Sequence, residues 1–224
     1  MRVLRGRLPD RDADRERTAA MLARTAETGD PAIRVWTPAR VVAFGRRDAR
    51  SEGYEAAREA AEVRGFPTVE RSVGGRAVAY TGSTVAFAHA VPVEGRAGID
   101  ERYDAATETM LGALRDLGVD ARLGEPPDAF CPGAHSIQCV GKLVGIAQRV
   151  RQAAALVSGI VVVTDEQAIA DVLTPVYDAL GVPFDPDSVG SVATAGGPTD
   201  PAQVARAIES AFVAGREARV VELG

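Results

Sequence analysis

The run Ser158-Gly-Ile-Val-Val-Val163 most constrains the fold of this 224-residue chain. Its last four residues are apolar and β-branched, with no polar alternation that would let one side face water. The mostly apolar stretch around it, Ala153–Val163, is far short of the roughly 20 residues that cross a bilayer. Leu156–Val163 is therefore expected as a strand buried on both faces, inside a sheet that helices cover. The flanking segments supply the layers. Asp12–Thr28 has a modest apolar face (Ala19, Met21, Leu22, Ala26), and Ser51–Arg64 reads as a helix stopped by Gly65. Ile33–Phe44 holds two strand-like runs split at Thr37-Pro38 and closed by Gly45. Pro67–Arg71 and Arg76–Tyr80 flank the Gly74-Gly75 turn, and Thr84–Val91 alternates with Val85, Phe87, His89 and Val91 on one side.

In the second half, Asp100–Leu117 places Tyr103, Ala106, Met110, Leu114 and Leu117 on one stripe, and Gly118 ends it. A Gly124-Glu-Pro-Pro-Asp128 loop precedes a strand over Ser136–Ala147. Asp165–Leu180 is helical with Pro175 as a candidate kink, and Asp200-Pro201 reads as cap and first residue of a helix to Val213. Arg219–Leu223 is read as a closing strand. Strands in runs with helices outside them predict an α+β fold of mixed, mostly antiparallel sheets. No repeat or linker divides the chain, so residues 1–224 are read as one domain, with 165–224 a helical extension of it.

Composition removes several function classes. A net charge of −5 opposes an electrostatic nucleic-acid binder, and no segment reads as a membrane anchor. The charged N-terminus lacks a following apolar stretch, and Cys131 and Cys139 are too few for a disulfide framework or a four-cysteine zinc site. A cytoplasmic location is the expectation. His89 and His135 have no ligand-spaced carboxylates around them, so no metal is expected.

The cations are 25 arginines and one lysine, Lys142. An arginine does not release its proton, whereas an amine can. The lone lysine is either a chance surface residue or a position that needs an amine. Cys131 follows a Pro-Pro break in Phe130-Cys-Pro-Gly-Ala-His-Ser136 and is either a small structural residue or an accessible nucleophile. Gly74-Gly75, with Arg71 and Arg76, is either a plain hairpin turn or a close backbone approach to an acyl or anionic ligand. Gly141-Lys142 fails as a P-loop, because Ser136 stands where the first glycine belongs and Leu143 where Ser or Thr should follow. His89 is read as core or pocket lining, His135 as loop residue or thiolate neighbour, and Cys139 as core packing.

In order, Arg34-Val-Trp-Thr-Pro38, Val42-Ala-Phe-Gly-Arg-Arg47, Arg71-Ser-Val-Gly-Gly-Arg-Ala-Val78, Gly141-Lys142, Gly145-Ile-Ala-Gln-Arg149 and Ser158–Val163 are similar to blocks of the lipoate–protein ligase and octanoyltransferase superfamily. This superfamily shares its catalytic domain with biotin–protein ligases, whose G-R-G-R-x-G-R loop is absent here. Glu70, Val73, Leu143 and Ser158 depart from the pattern. The resemblance implies the biotin/lipoate-ligase-like α+β catalytic domain. It implies a substrate slot at Arg71, Gly74, Gly75, Arg76, Ala77 and Val78 with Gly145, Ile146 and Ala147, to which the pocket-lining reading adds His89. Lys142 matches the superfamily's lysine. Cys131-Pro132-Gly133 resembles the cysteine loop of amidotransferases, which move octanoyl or lipoyl groups from the glycine-cleavage H protein to lipoyl domains of 2-oxoacid dehydrogenases.

The expectation is then a cofactor-free acyltransferase with Cys131 and Lys142 catalytic and a Cys131 thioester intermediate. Its partners would be lipoyl-domain proteins, among them the H protein and 2-oxoacid dehydrogenase acyltransferase subunits, or acyl carrier protein. The alternatives are an ATP-dependent lipoate–protein ligase, with ATP and magnesium, and a non-catalytic acyl-carrier-binding module. The few residues after Val163 favour the transferase over a ligase with an accessory domain.

Overall fold

The computed structural model describes residues 1–71, 75–93 and 98–223. The chain runs through β1 (Arg2–Arg5), α1 (Arg11–Thr28), β2 (Ala32–Trp36), β3 (Val41–Phe44), α2 (Tyr54–Val63), β4 (Thr68–Glu70), β5 (Val78–Tyr80) and β6 (Val85–Pro92). It continues through α3 (Ile99–Asp116), β7 (Arg122–Leu123), β8 (Ser136–Cys139), β9 (Gly141–Val150), β10 (Ala154–Val161), α4 (Glu166–Leu180), α5 (Pro201–Val213) and β11 (Arg219–Glu222). The helix caps follow their local chemistry. Asp10 and Asp200 cap α1 and α5 by accepting N–H groups of their first turns, Pro201 opens α5, and Gly29 ends α1 in the left-handed region. Pro175 lies inside α4, which runs unbroken past it.

The main sheet has the order β11-β1-β2-β6-β10-β9-β8-β7, and a smaller one the order β4-β3-β5. In the main sheet β1 pairs parallel with both neighbours and the remaining pairs are antiparallel. The valine-rich strand is β10, flanked by β6 and β9 and covered on both faces. On one face Val157 and Val161 join Phe87, Met110 and Leu114 under α3 and α5. On the other, Ile160 joins the small sheet, α2 and α4 in a second core with Phe44, Leu173 and Tyr177. A third cluster seats α1, through Met21 and Leu22, on Ala88 and Ala90.

The sequence reading missed β1, whose four residues carry no alternation, and fused β8 with β9, which Gly141 separates at φ +86°. The segment after residue 165 is more than a helical extension, since β11 returns to pair with β1 and complete the main sheet edge. The fully buried Arg34 braces α1: its guanidinium pairs with the Asp14 carboxylate and donates to the Asp14 carbonyl at 3.0 Å and Thr18 Oγ1 at 2.9 Å. Paired and hydrogen-bonded in this way, the charge tolerates burial.

His89 packs edge-on against Phe212 on the α5 side of the main sheet. Burial, helped by Arg216, lowers its pKa to about 4. Between this value and the ordinary 6.5 the unfolded chain binds a proton that the folded one refuses, so stability falls as pH drops through that window. We expect His89→Leu to remove about 2 kcal/mol of the stability lost between pH 7 and pH 5, measured by urea denaturation at both pH values.

Candidate active site

The loop from Gly124 to His135 connects β7 to β8 and carries Cys131. Three prolines, Pro126, Pro127 and Pro132, restrict its backbone, and the buried Phe130 anchors it in the core beside α4. Asp128 and Cys131 both take positive φ, at 48° and 44°. A residue with a Cβ is costly there and stays only where its surroundings over-determine it. Those surroundings grip the Cys131 peptide at both ends. Its N–H donates to Tyr177 Oη of α4 at 2.6 Å, and Tyr177 Oη donates in turn to the Ala77 carbonyl at 3.0 Å. Its carbonyl accepts from Lys142 Nζ of β9 at 3.0 Å. Burial raises the Tyr177 pKa, so the hydroxyl keeps the proton it donates.

Lys142 reaches the loop because β9 carries a bulge. Ile137 pairs with Val144 and Gln138 with Lys142, leaving Leu143 as an extra residue on β9. Leu143 and Val144 both enter the core under α3, and Lys142 turns to the opposite side. There a Cβ on Gly145 would lie 3.6 Å from its Cε, and its Nζ is 5.0 Å from the Phe130 ring centroid. The amine is 1% exposed, 2.8 and 3.1 Å from the Glu125 carboxylate oxygens, and also donates to the Phe130 carbonyl at 2.9 Å. Glu125 accepts the Gly133 N–H at 3.2 Å as well. Lys142 thus meets the peptide that carries the thiol.

The thiol itself is half-buried against the turn after β4. A Cβ on Gly75 would stand 2.8 Å from Cys131 Sγ, and Gly75 has φ +93°. Gly45 is equally necessary, because its Cβ would fall 1.9 Å from the Gly75 carbonyl oxygen. Arg71 Nη2 lies 3.9 Å from the sulfur and hydrogen-bonds the Arg76 carbonyl. It sets a guanidinium facing any charge the sulfur carries. Arg76 pairs at 3.0 Å with the fully buried Asp48, whose other oxygen accepts the Gly45 N–H at 3.2 Å.

Between α1 and the small sheet, the face of the main sheet that carries Lys142 presents a patch of small side chains next to Ile160. Gly145 and Ala147 of β9 sit opposite Ile160 and Ser158 of β10, and Gly145, Ala147 and Ser158 keep some exposure. This strip leads away from Lys142. The structure therefore gathers Arg71, Gly75, Cys131, Lys142, Gly145 and Ala147 on one side of the main sheet. Arg76 braces the turn, Ala77 offers its carbonyl, and Val78 is core. Ile146 packs against the core under α3 and α5, and His89 lies on that same side of the sheet. Gly74 lies outside the described residues. His135 stacks flat on Tyr103 of α3 with centroids 3.6 Å apart, and Cys139 packs against the core below α3.

Sequence reasoning missed Glu125, Asp48 and the hydroxyl of Tyr177. The last had a signal, since a tyrosine on an apolar helix stripe needs a partner for its O–H. Glu125 looked like an ordinary loop acid.

Comparison with known proteins agrees with this architecture. The chain aligns along its whole length with lipoate-protein ligase A bound with ATP, at 20% identity, 89% of that chain and TM-score 0.79. It aligns equally fully with a bipartite lipoate protein ligase from Thermoplasma acidophilum, solved in a study that includes its E2 lipoyl domain. That match has 20% identity, covers 87% of that chain and has a TM-score of 0.73. These likenesses show the fold of lipoate–protein ligases. The lipoyl protein ligase A/B catalytic domain matches residues 16–213, and the chain belongs to this family of octanoyl- and lipoyl-transferring enzymes. Among curated proteins, octanoyltransferase LipM of Kyrpidia tusciae is 29% identical over 229 residues, covering 90% of this chain and 81% of its own. Among the described residues, no helix is long and apolar enough to cross a membrane and no His, Cys, Asp or Glu group is arranged to hold a metal ion.

Tyr177→Phe would leave the Cys131 N–H and the Ala77 carbonyl without their shared partner. We expect a loss of about 1–3 kcal/mol in denaturant unfolding, with faster hydrogen exchange at the Cys131 amide than elsewhere in the loop.

Proposed function

We propose that this protein transfers an octanoyl or lipoyl group from a carrier-protein thioester to a lysine of a lipoyl domain, through a Cys131 thioester and without ATP. The observation that carries this reading is the gripped, positive-φ Cys131 peptide, which holds a half-buried thiol against Gly75 at the head of the small-residue strip. A structural cysteine has no need of such a backbone.

In the first step the Cys131 sulfur anion attacks the acyl carbonyl carbon, the carbonyl electrons move to oxygen, and the tetrahedral adduct expels the carrier thiolate, which takes up a proton. In the second, the acceptor lysine amine attacks the Cys131 thioester, the C–S bond breaks and an amide forms. The amine's proton leaves with the restored thiol or to solvent. Arg71 faces the sulfur charge in the resting and leaving states. Lys142 holds the carbonyl of the cysteine residue itself. As the acyl oxygen arrives, the amine turns from Glu125 toward it and supports the oxyanion. The alkyl chain lies along Gly145, Ala147 and Ser158, where longer side chains would block it.

The donor is the H protein or acyl carrier protein, and the acceptors are lipoyl domains such as those of 2-oxoacid dehydrogenase acyltransferase subunits. The E2 lipoyl domain accompanying the Thermoplasma ligase is an acceptor of this class.

Intact-mass measurement after mixing with octanoylated acyl carrier protein or H protein tests the scheme. We expect an adduct of about 126 Da on Cys131 without ATP, absent in Cys131→Ser, and chased onto an added apo-lipoyl domain. An adduct that requires ATP and survives that substitution identifies a ligase. No adduct with retained carrier binding identifies a binding module.

A further inference from the structure

We propose that Glu125 is a positioning residue for acyl transfer: its carboxylate, joined to Lys142 Nζ and the Gly133 N–H, keeps the buried amine charged and pinned beneath the nucleophile loop. The inference rests on the Cys131 reading above and adds a residue to it. An ammonium has three hydrogens, and Lys142 Nζ has four acceptors within 3.1 Å: both Glu125 oxygens and the carbonyls of Phe130 and Cys131. The two carbonyls are dipoles. Glu125 alone among these four contacts carries the opposite charge that lets an ammonium persist at 1% exposure. The same carboxylate spans to Gly133, two residues beyond the thiol, so it ties the loop on the far side of Cys131 as Tyr177 ties it on the near side.

The carboxylate is also the releasable partner. At 22% exposure, against 1% for the lysine, Glu125 can regain water when the amine turns toward an acyl oxygen. The carbonyls of Phe130 and Cys131 are fixed by the buried Phe130 ring and the Tyr177 bond. Other groups facing this amine are the Phe130 ring and the Gly145 backbone beside its stem, while the Cys131 thiol of the same loop lies against Gly75. Arg71 stands behind that sulfur from the small sheet. Val189 and Gly190, after the Pro186–Ser188 turn, meet the Lys142 backbone and bring no charge.

The chain offers an unusual readout, because Lys142 is its only lysine. Lysine labelled with 13C at Cε gives a single side-chain resonance whose shift reports the charge of this amine. In Glu125→Gln, which keeps the shape and loses the charge, we expect this resonance to move at pH 8. We expect Glu125→Asp to restore it, with both variants folded by circular dichroism. Cys131 acylation by octanoyl acyl carrier protein, followed by intact mass, should slow about tenfold or more in Glu125→Gln at pH 8. An unmoved resonance overturns the proposal, whatever the acylation rate. Equal losses of rate in the Gln and Asp variants at every pH also overturn it, since a merely structural acid would behave so. If wild-type Cys131 takes up no acyl group, the functional reading fails, while the resonance still decides whether Glu125 holds the charge of Lys142.

Discussion

A buried ammonium cannot stand unsupported, and much of this site is organised around the support given to Lys142. Its acceptors come from three points of one irregular loop, at Glu125, Phe130 and Cys131. Satisfying the amine therefore shapes the loop, and the loop's shape places the sulfur. Tyr177 completes the arrangement from a helix 46 residues away by holding the amide side of the same peptide. The positive φ of Cys131 is the local cost, offset by hydrogen bonds that a relaxed backbone would break.

The supports of the acyl-side turn use the same physics with arginine. Arg76 reaches the buried Asp48, which in turn holds the Gly45 amide, and the absence of side chains at Gly45 and Gly75 lets the two turns touch. Arg34 does the equivalent for α1 at the other end of the strip. Arg34 satisfies several acceptors at once with its planar guanidinium, which suits bracing. Lysine is used where a compact charge sits under a loop.

The layered outline could be read from the sequence because it follows from periodicity: the apolar stretch leading into the valine run became the covered β10, and Asp200 and Pro201 opened α5 as their chemistry requires. Cys131 and Lys142 stood out through context and resemblance. The geometry between them did not, because it turns on the one-residue bulge at Leu143, and period-two reading of a strand has no means of locating an inserted residue. The resemblance groups Ile146 with Gly145 and Ala147, yet strand alternation sends it into the opposite core. Glu125 and Asp48 were illegible for another reason: a loop acid acquires meaning only from the cation that long-range folding brings to it.

The thiol's setting is assembled from distant stretches of chain: the loop itself, the turn at Gly75, the bulged strand and the α4 tyrosine. A nascent polypeptide that has emerged only as far as Lys142 still lacks Tyr177, so the Cys131 amide has no hydroxyl to hold it. The backbone that carries the sulfur is therefore completed late, once α4 has been made and docked.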